Sequence, residues 1–437
     1  MEKFKLTFYE GGNSVTGVNF LMEGLSKKIL VDAGLPSKCV SDDFALGEAF
    51  PYNPEEIDFL FVSHYDLAHT GKIPRLVKEG FKGVIYSTAE TKFISELLFR
   101  DCLEESIKKE ESVFCESDIK KTMEVWKTIS YGDVIDLGDN LSVGMYDAGH
   151  ILGSSFFNFD HNGKNILFAN AIGGKFVADL SGIPTDKKID YLVMESIYGN
   201  KAHELIEGRK EFLEDIIEGT INQHGSILIP VSSVDKIFVV LRDINKLLES
   251  GKIPKTPIFI NSPIASEVVS VYSQLFKCVK EDCDTLGDFL KHFNNLKFIT
   301  EENKLEEIDK IESKIVISGI GMSGKKMLEN QIKKYIVDPN SAIIFPDYQI
   351  SGSLGSLIQE GGDSVKIGNE NFKIRARVES IDGYSSHADY NILFKFVDSL
   401  KYDLKKVFVT IGEPESTSFF ASKLRDHLSV DAAAVLR

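Results

Sequence analysis

The sequence predicts an α/β protein in which a β-rich α/β domain is interrupted by a second, parallel α/β domain. Three observations predict it. The N-terminal part is a run of short segments rich in Val, Ile, Phe and Leu, separated by turn residues. From about Ala202 to Pro346, long helical patterns alternate with short apolar strands, as βαβ units and a parallel sheet require. Beyond Val365 short strands return.

Taken in order, strands are expected at Lys5–Glu10, Gly17–Glu23, Lys28–Asp32 and Asp58–Ser63, with the turn Gly11-Gly12-Asn13-Ser14 between the first two. A helix is expected at about Ala89–Glu111, with Phe93, Leu97, Leu98 and Cys102 at helical spacing and a mixed-charge tail, Glu104–Glu111, as a solvated face. Further strands follow at Val134–Leu137, Leu141–Asp147, Ser155–Phe159, Asn165–Asn170 and Tyr191–Glu195. In the interrupting region the apolar runs Ser226–Pro230, Pro257–Ile260, Lys314–Ser318 and Ala342–Pro346 are the strands. Val365–Ile367 and Lys373–Ser380 are strands, Tyr390–Leu400 is a helix and Val407–Thr410 a strand. The last residues, Asp431 to Arg437, form either an edge strand, and hence a dimer contact, or a free terminus.

The length of 437 residues allows about two or three domains at roughly 150 residues each. The 50 basic and 66 acidic residues give a net charge of −16, which disfavours a bulk cationic coat for nucleic acid or an anionic membrane. No stretch reaches the ~18 apolar residues of a membrane span, and the N-terminus lacks the apolar core of a secretory signal. The five cysteines are scattered and odd in number, so a reducing cytoplasm is the simplest expectation.

Four segments could carry chemistry. Phe61-Val-Ser-His64-Tyr-Asp66-Leu-Ala68-His69 places His64, Asp66 and His69 on a strand-to-helix loop, where they either converge on a metal ion or form a polar turn. Asp147-Ala-Gly149-His150 holds a histidine between turn residues at a strand end. Met194-Glu195-Ser196 ends an apolar strand on a carboxylate. In Gly383-Tyr-Ser385-Ser386-His387-Ala-Asp389, Ser385 or Ser386 could cap a helix with His387 near its first turn. Asp32 ends another apolar strand, able to orient a ligand loop or merely to close a turn.

Together and in this order the segments resemble the metallo-β-lactamase fold, and more closely its β-CASP branch, the nucleases that process RNA ends and transcripts. The resemblance spans the chain. Asp32 precedes a loop matching His-x-His-x-Asp-His, followed by Gly149-His150, a Gly-Asp-hydrophobic-Gly turn (here Asn170-Ala171-Ile172-Gly173), Glu195–Gly199 and Ser385–Asp389. Asn261–Ala265, Gly321–Gly324 and Asp347–Gly355 match stretches of the inserted domain. The resemblance implies a four-layer αββα metallo-β-lactamase domain from residues 1–200 and 361–437, and an inserted parallel β-CASP domain at 201–360.

The departures fall on the metal ligands. The second His of the loop is Asp66, its Asp is Ala68, the bridging Asp is Ala171, and the last His, expected in Val-His-Gly-Glu, is Ile411. One metal position keeps His64, Asp66 and His150, a set suited to a single Zn²⁺, Mn²⁺ or Fe²⁺ ion. The other keeps only His69, so a two-zinc site is not expected. By resemblance Glu195 supports His387, the general acid of the family, and Asp32 orients the ligand loop. Arginines that grip phosphate in the family are missing after Gly355 and in Pro230–Lys236, while Lys72, Lys325 and Lys326 read as solvated surface lysines. The expected function is therefore a β-CASP homologue impaired or inactive in catalysis, acting as an RNA-processing-associated binding or partner subunit. The alternative is a one-metal hydrolase of RNA or another phosphodiester. Expected partners are RNA, bound weakly by this chain alone, and a second copy or an active β-CASP paralogue in a dimer, with no membrane.

Overall fold

The computed structural model describes residues 5–24, 27–36, 48–174, 188–275, 295–299 and 308–436. The chain separates into two compact units, residues 1–202 with 386–437, and residues 203–385.

The first unit is built on two sheets. One contains six strands in sequence order: Lys5–Glu10, Asn19–Glu23, Ile29–Val31, Phe59–Phe61, Val84–Ser87 and Trp126–Thr128. The first three pair antiparallel and the rest join in parallel. The other has seven strands in the order Ala432–Ala434, Lys406–Thr410, Tyr191–Glu195, Lys164–Ala169, Ser155–His161, Leu141–Asp147 and Val134–Gly138. The sheets face each other across aromatic contacts. Phe61 lies 5.3 Å from Phe157 and 5.1 Å from Phe159, and Phe8 lies 5.7 Å from Phe408, as ring centroids. Helices cover the outer faces. Ala89–Lys108 packs Phe99 on Trp126, and Tyr390–Leu400 with Pro414–Leu428 buries Phe396, Phe420 and Leu424 against the second sheet. The arrangement is the expected αββα four-layer domain.

The Ala89–Lys108 helix starts where Thr88 accepts from Thr91 N. Its buried face is offset from the expected one. Ile94, Leu98, Phe99 and Cys102 are buried, while Phe93 is 43% exposed. Nor is the charged tail a solvated face throughout, because Glu105 is buried and paired with Lys108. A strand at Trp126–Thr128 escapes the sequence reading, being only three residues long. Ala432–Ala434 does pair, in parallel with Lys406–Thr410 at the end of the sheet.

The second unit is built on a six-stranded parallel sheet in the order Leu296–Ile299, Ile258–Asn261, Ile315–Ser318, Ile227–Pro230, Ala342–Phe345 and Arg377–Ser380. Its central strands are buried end to end, as parallel strands covered by helices on both faces are. The expected return to the first domain at residue 361 is displaced here. Val365 and Ile367 pack in the core of this unit, and Arg377–Ser380 extends its sheet. The single strand expected at Lys373–Ser380 is two, Glu370–Lys373 in a hairpin and Arg377–Ser380. The break falls where Arg375 N and Ala376 N both bond to Ile336 O. Among the described residues no helix is long and apolar enough to cross a membrane.

Candidate functional site

All the candidate site residues lie in the first unit, at strand ends or in the loops and the short helix that follow them. Ile29–Val31 is wholly buried and releases the chain at Asp32, whose φ of +62° is a left-handed conformation that Asp tolerates. Beside it Phe59–Phe61 runs through Val62 and Ser63 to His64, then into the short helix Leu67–Thr70 that carries His69. This helix lies against residues 33–35 through Ala33 N to His69 O (2.8 Å) and Leu35 N to Leu67 O (2.8 Å). A side chain at Gly34 would meet Ala68 O at 1.6 Å, so only glycine permits the approach.

His150 follows Gly149, at φ +64°, in a loop whose amides at His150 and Ile151 both donate to Ser154 Oγ (3.1 and 3.2 Å). The turn at residues 170–174 is clasped between this loop and the His387 segment. Gly173 N donates to Ala148 O (2.9 Å), Ala388 N to Ile172 O (2.7 Å) and Gly174 N to Ser386 O (3.1 Å).

The histidines form a row. His69 to His64 is 4.0 Å between ring centroids, His64 to His150 is 5.1 Å, and His150 to His387 is 4.0 Å. Each end of the row meets a carboxylate. His69 Nδ1 lies 2.7 Å from Asp32 Oδ2, and His387 Nδ1 lies 2.9 Å from Glu195 Oε2 and 3.0 Å from Oε1. A nitrogen facing a carboxylate carries the proton, so both rings donate from Nδ1 and turn Nε2 the other way. Ser63 Oγ donates its only proton to Asp32 Oδ2 (2.8 Å) and can therefore only accept from His64 Nδ1 (2.9 Å). Burial, followed by the neighbouring His69, His150 and His387, holds the His64 imidazole well below the usual histidine pKa of 6.5, so it is neutral with a bare Nε2.

Other expected residues are placed differently. Asp66 is half-exposed and starts the Leu67–Thr70 helix without a side-chain cap bond. The helix after His387 is capped by Asp389, which accepts from Ile392 N (3.0 Å), not by Ser385 or Ser386, so His387 precedes the helix. Ala171 and Ile411 are buried and apolar. Ile411 keeps a φ of +46°, strained for a β-branched residue, with its N bonded to Gly11 O (2.7 Å) and its O to Ser196 N (3.0 Å). Lys72 is not a solvated lysine. It is buried and paired with Glu10 at 2.8 Å.

Three residues escape the sequence reading: Ser63, Asn170 and, in the second unit, Lys236. Asn170 Nδ2 donates to Asp32 Oδ2 at 2.8 Å. Its signal was its place, where the resembling pattern has glycine. Lys236 stands where that pattern has Arg, but it is buried, paired with Asp347 at 2.6 Å and donating to Tyr384 O at 2.7 Å.

The donor set decides what these residues could hold. The 5.1 Å spacing of His64 and His150 is close to the roughly 5 Å that two imidazoles on one tetrahedral Zn²⁺ would show. No third donor joins them, since among the described residues no group of three or more His, Cys, Asp or Glu could hold a metal ion. Where the second metal's ligands would stand there are Ala68, Ala171 and Ile411, with His69 turned to Asp32. A two-metal centre does not fit these residues.

An αββα sandwich whose histidines line up on strand-end loops defines the metallo-hydrolase class. Family models match residues 21–182 (metallo-β-lactamase superfamily domain), 236–358 (β-CASP domain) and 371–435 (Zn-dependent metallo-hydrolase RNA specificity domain). The chain belongs to the β-CASP branch of the metallo-β-lactamase superfamily. It is 27% identical over 400 residues to a ribonuclease of Thermus thermophilus, covering 89% of each chain. It is 28% identical over 444 residues to an RNase J-like protein of Methanocaldococcus jannaschii, covering 98% of this chain and 97% of that one. With the transcription termination factor FttA of Pyrococcus horikoshii it shares 28% over 436 residues, 93% of this chain and 66% of the relative. A crystal structure of a protein of unknown function from Enterococcus faecalis V583 matches the fold at a TM-score of 0.55 and 14% identity, covering 95% and 96% of the two chains.

Proposed function

We propose that this chain is a catalytically impaired β-CASP protein that serves as an RNA-processing-associated binding or partner subunit. One observation carries the reading: the position of the bridging carboxylate is occupied by buried Ala171. Two-metal phosphodiester cleavage needs both ions to clamp the reacting oxygens, and a shared carboxylate is what holds them together. Without it, and with Ile411 apolar, one lone imidazole cannot retain the second ion. Family matches to an RNA specificity domain, and relatives named for RNA cleavage and transcription termination, support RNA as the ligand. The net charge of −16 favours weak binding by this chain alone, strengthened in a homodimer or beside an active β-CASP paralogue.

The alternative, a one-metal hydrolase built on His64, Asp66 and His150, is favoured by one observation, the 5.1 Å spacing of the two imidazoles. One experiment separates the readings. Purified chain and its His150→Ala variant are assayed for metal content and for cleavage of labelled single-stranded RNA in Zn²⁺ and Mn²⁺. Equal, background-level cleavage and no retained metal are expected. One tightly held ion, with cleavage abolished in His150→Ala, would overturn the impaired reading in favour of the one-metal hydrolase.

A further inference from the structure

Asp32 is fully buried, and a buried carboxylate is costly unless its lone pairs are taken up. A cation bound beside it would offset part of that charge. Here the carboxylate is satisfied by protein alone. Oδ1 accepts from Ser63 N at 2.7 Å. Oδ2 accepts from Ser63 Oγ at 2.8 Å, His69 Nδ1 at 2.7 Å and Asn170 Nδ2 at 2.8 Å. The Asn170 amide is the donor that the glycine of the resembling turn could not supply. It is buried, its NH₂ is fixed on Asp32 because a carboxylate can only accept, and its Oδ1 meets no hydrogen-bond donor among the described residues. The residue's engagement is therefore wholly toward Asp32. The next residue, Ala171, brings no competing charge, and Ile411 fills its own position with apolar surface.

We propose that Asn170 has converted the cation-dependent half of this centre into a cation-independent hydrogen-bonded hub, with His69 kept as a structural donor to Asp32. The proposal rests on the impaired reading above and explains how the unit stays folded once the second ion is gone. It makes Asn170 a positioning residue acting through Asp32.

The test is thermal unfolding of the full chain, stripped with EDTA or supplied with Zn²⁺ or Mn²⁺, for the unmodified chain and for Asn170→Ala and Asn170→Asp. The unmodified chain is expected to melt within about 1 °C in all three conditions, because an ion that does not bind the folded state cannot stabilise it. Asn170→Ala, which removes one charge-assisted donor, is expected to melt about 5 °C lower in each. Asn170→Asp sets a second carboxylate beside Asp32 and should be the least stable in EDTA. Added metal should raise its melting temperature, since His69 Nδ1, releasing its proton to solvent, and two carboxylates then form a three-donor set. A simple packing role for Asn170 would produce no such metal response. A chelator-sensitive unmodified chain overturns the proposal, as does Asn170→Ala melting with it, or a folded Asn170→Asp chain indifferent to metal. If Asn170→Asp does not fold, the first two chains decide. RNA cleavage by the unmodified chain would overturn the proposed function while leaving this melting comparison standing. Chelator sensitivity without cleavage would overturn the hub alone.

Discussion

The two ends of the histidine row use the same pair of groups to opposite effect. At one end Asp32 is wholly buried and receives four hydrogen bonds, two from Ser63 and one each from His69 and Asn170. At the other, Glu195 is equally buried; Ile172 N and His387 are among its partners, and the His387 side chain is 19% exposed. A carboxylate ringed by donors is a structural centre, and its imidazole is held as one donor among several. A carboxylate holding a single partly exposed imidazole orients that ring, as a general acid requires. Survival of a motif is therefore not survival of its chemistry. On the reading proposed above, the Asp32 end keeps its residues with a changed task, while the Glu195 end holds a carboxylate–imidazole pair at 2.9 Å.

The comparison breaks most visibly at Asp32. Asp32→Ala leaves Ser63 N, Ser63 Oγ, His69 Nδ1 and Asn170 Nδ2 without their acceptor in a buried site. A loss of about 4 kcal/mol is expected in urea unfolding of the full chain. Glu195→Gln retains an acceptor for Ile172 N and loses the charge-assisted partner of His387, so about 2 kcal/mol is expected in the same measurement. If the two substitutions cost the same, the distinction between a structural end and an orienting end fails.

Much of this was legible in the sequence, and the parts that were not have physical reasons. Strands such as Leu141–Asp147 and Tyr191–Glu195 are long, apolar and ended by polar residues, so their bounds can be read directly. The missing ligands were equally visible, because Ala171 and Ile411 cannot coordinate anything. The hub was not. A serine beside a histidine and an asparagine in a turn are ordinary residues until tertiary structure brings Asn170, 138 positions away in sequence, to Asp32. Lys72 and Lys236 misled for a related reason. Lysine is rarely buried unless paired, and the partners Glu10 and Asp347 lie far along the chain. The Ala89–Lys108 helix packs a face one residue away from the one its most apolar members suggested, since Thr91 and Ser95 take buried positions that a hydrophobic pattern passes over.

The middle of the row gives a smaller, pH-dependent effect. His64 is neutral in the folded chain because burial and three neighbouring histidines depress its pKa well below 6.5. The unfolded chain takes up that proton first as the pH falls. Stability from this group is thus complete above about pH 6.5 and declines below it, by at most about 1.4 kcal/mol per pH unit. Urea unfolding at pH 7.5 and 5.5 should show the decline, and His64→Asn should flatten it. A slope unchanged in His64→Asn would assign the titration elsewhere.

The smallest effect is expected at His387. Its ring packs on His150 at 4.0 Å, but the side chain reaches solvent, and Glu195 keeps its bond from Ile172 N when the imidazole is gone. His387→Gln should cost no more than about 1 kcal/mol in urea, well under either carboxylate substitution. It also removes one of the neighbouring histidines that hold the His64 pKa down, the last and weakest of the causes acting on it. The decline should therefore still begin at about pH 6.5 but level off at a slightly higher pH and be slightly smaller in total, because His64 protonates a little more readily in the folded state and the gap to the unfolded value narrows. A cost at His387 as large as that at Asp32 would mean that both ends of the row are structural. The orienting geometry at Glu195 would then be a relic of packing, not a retained acid.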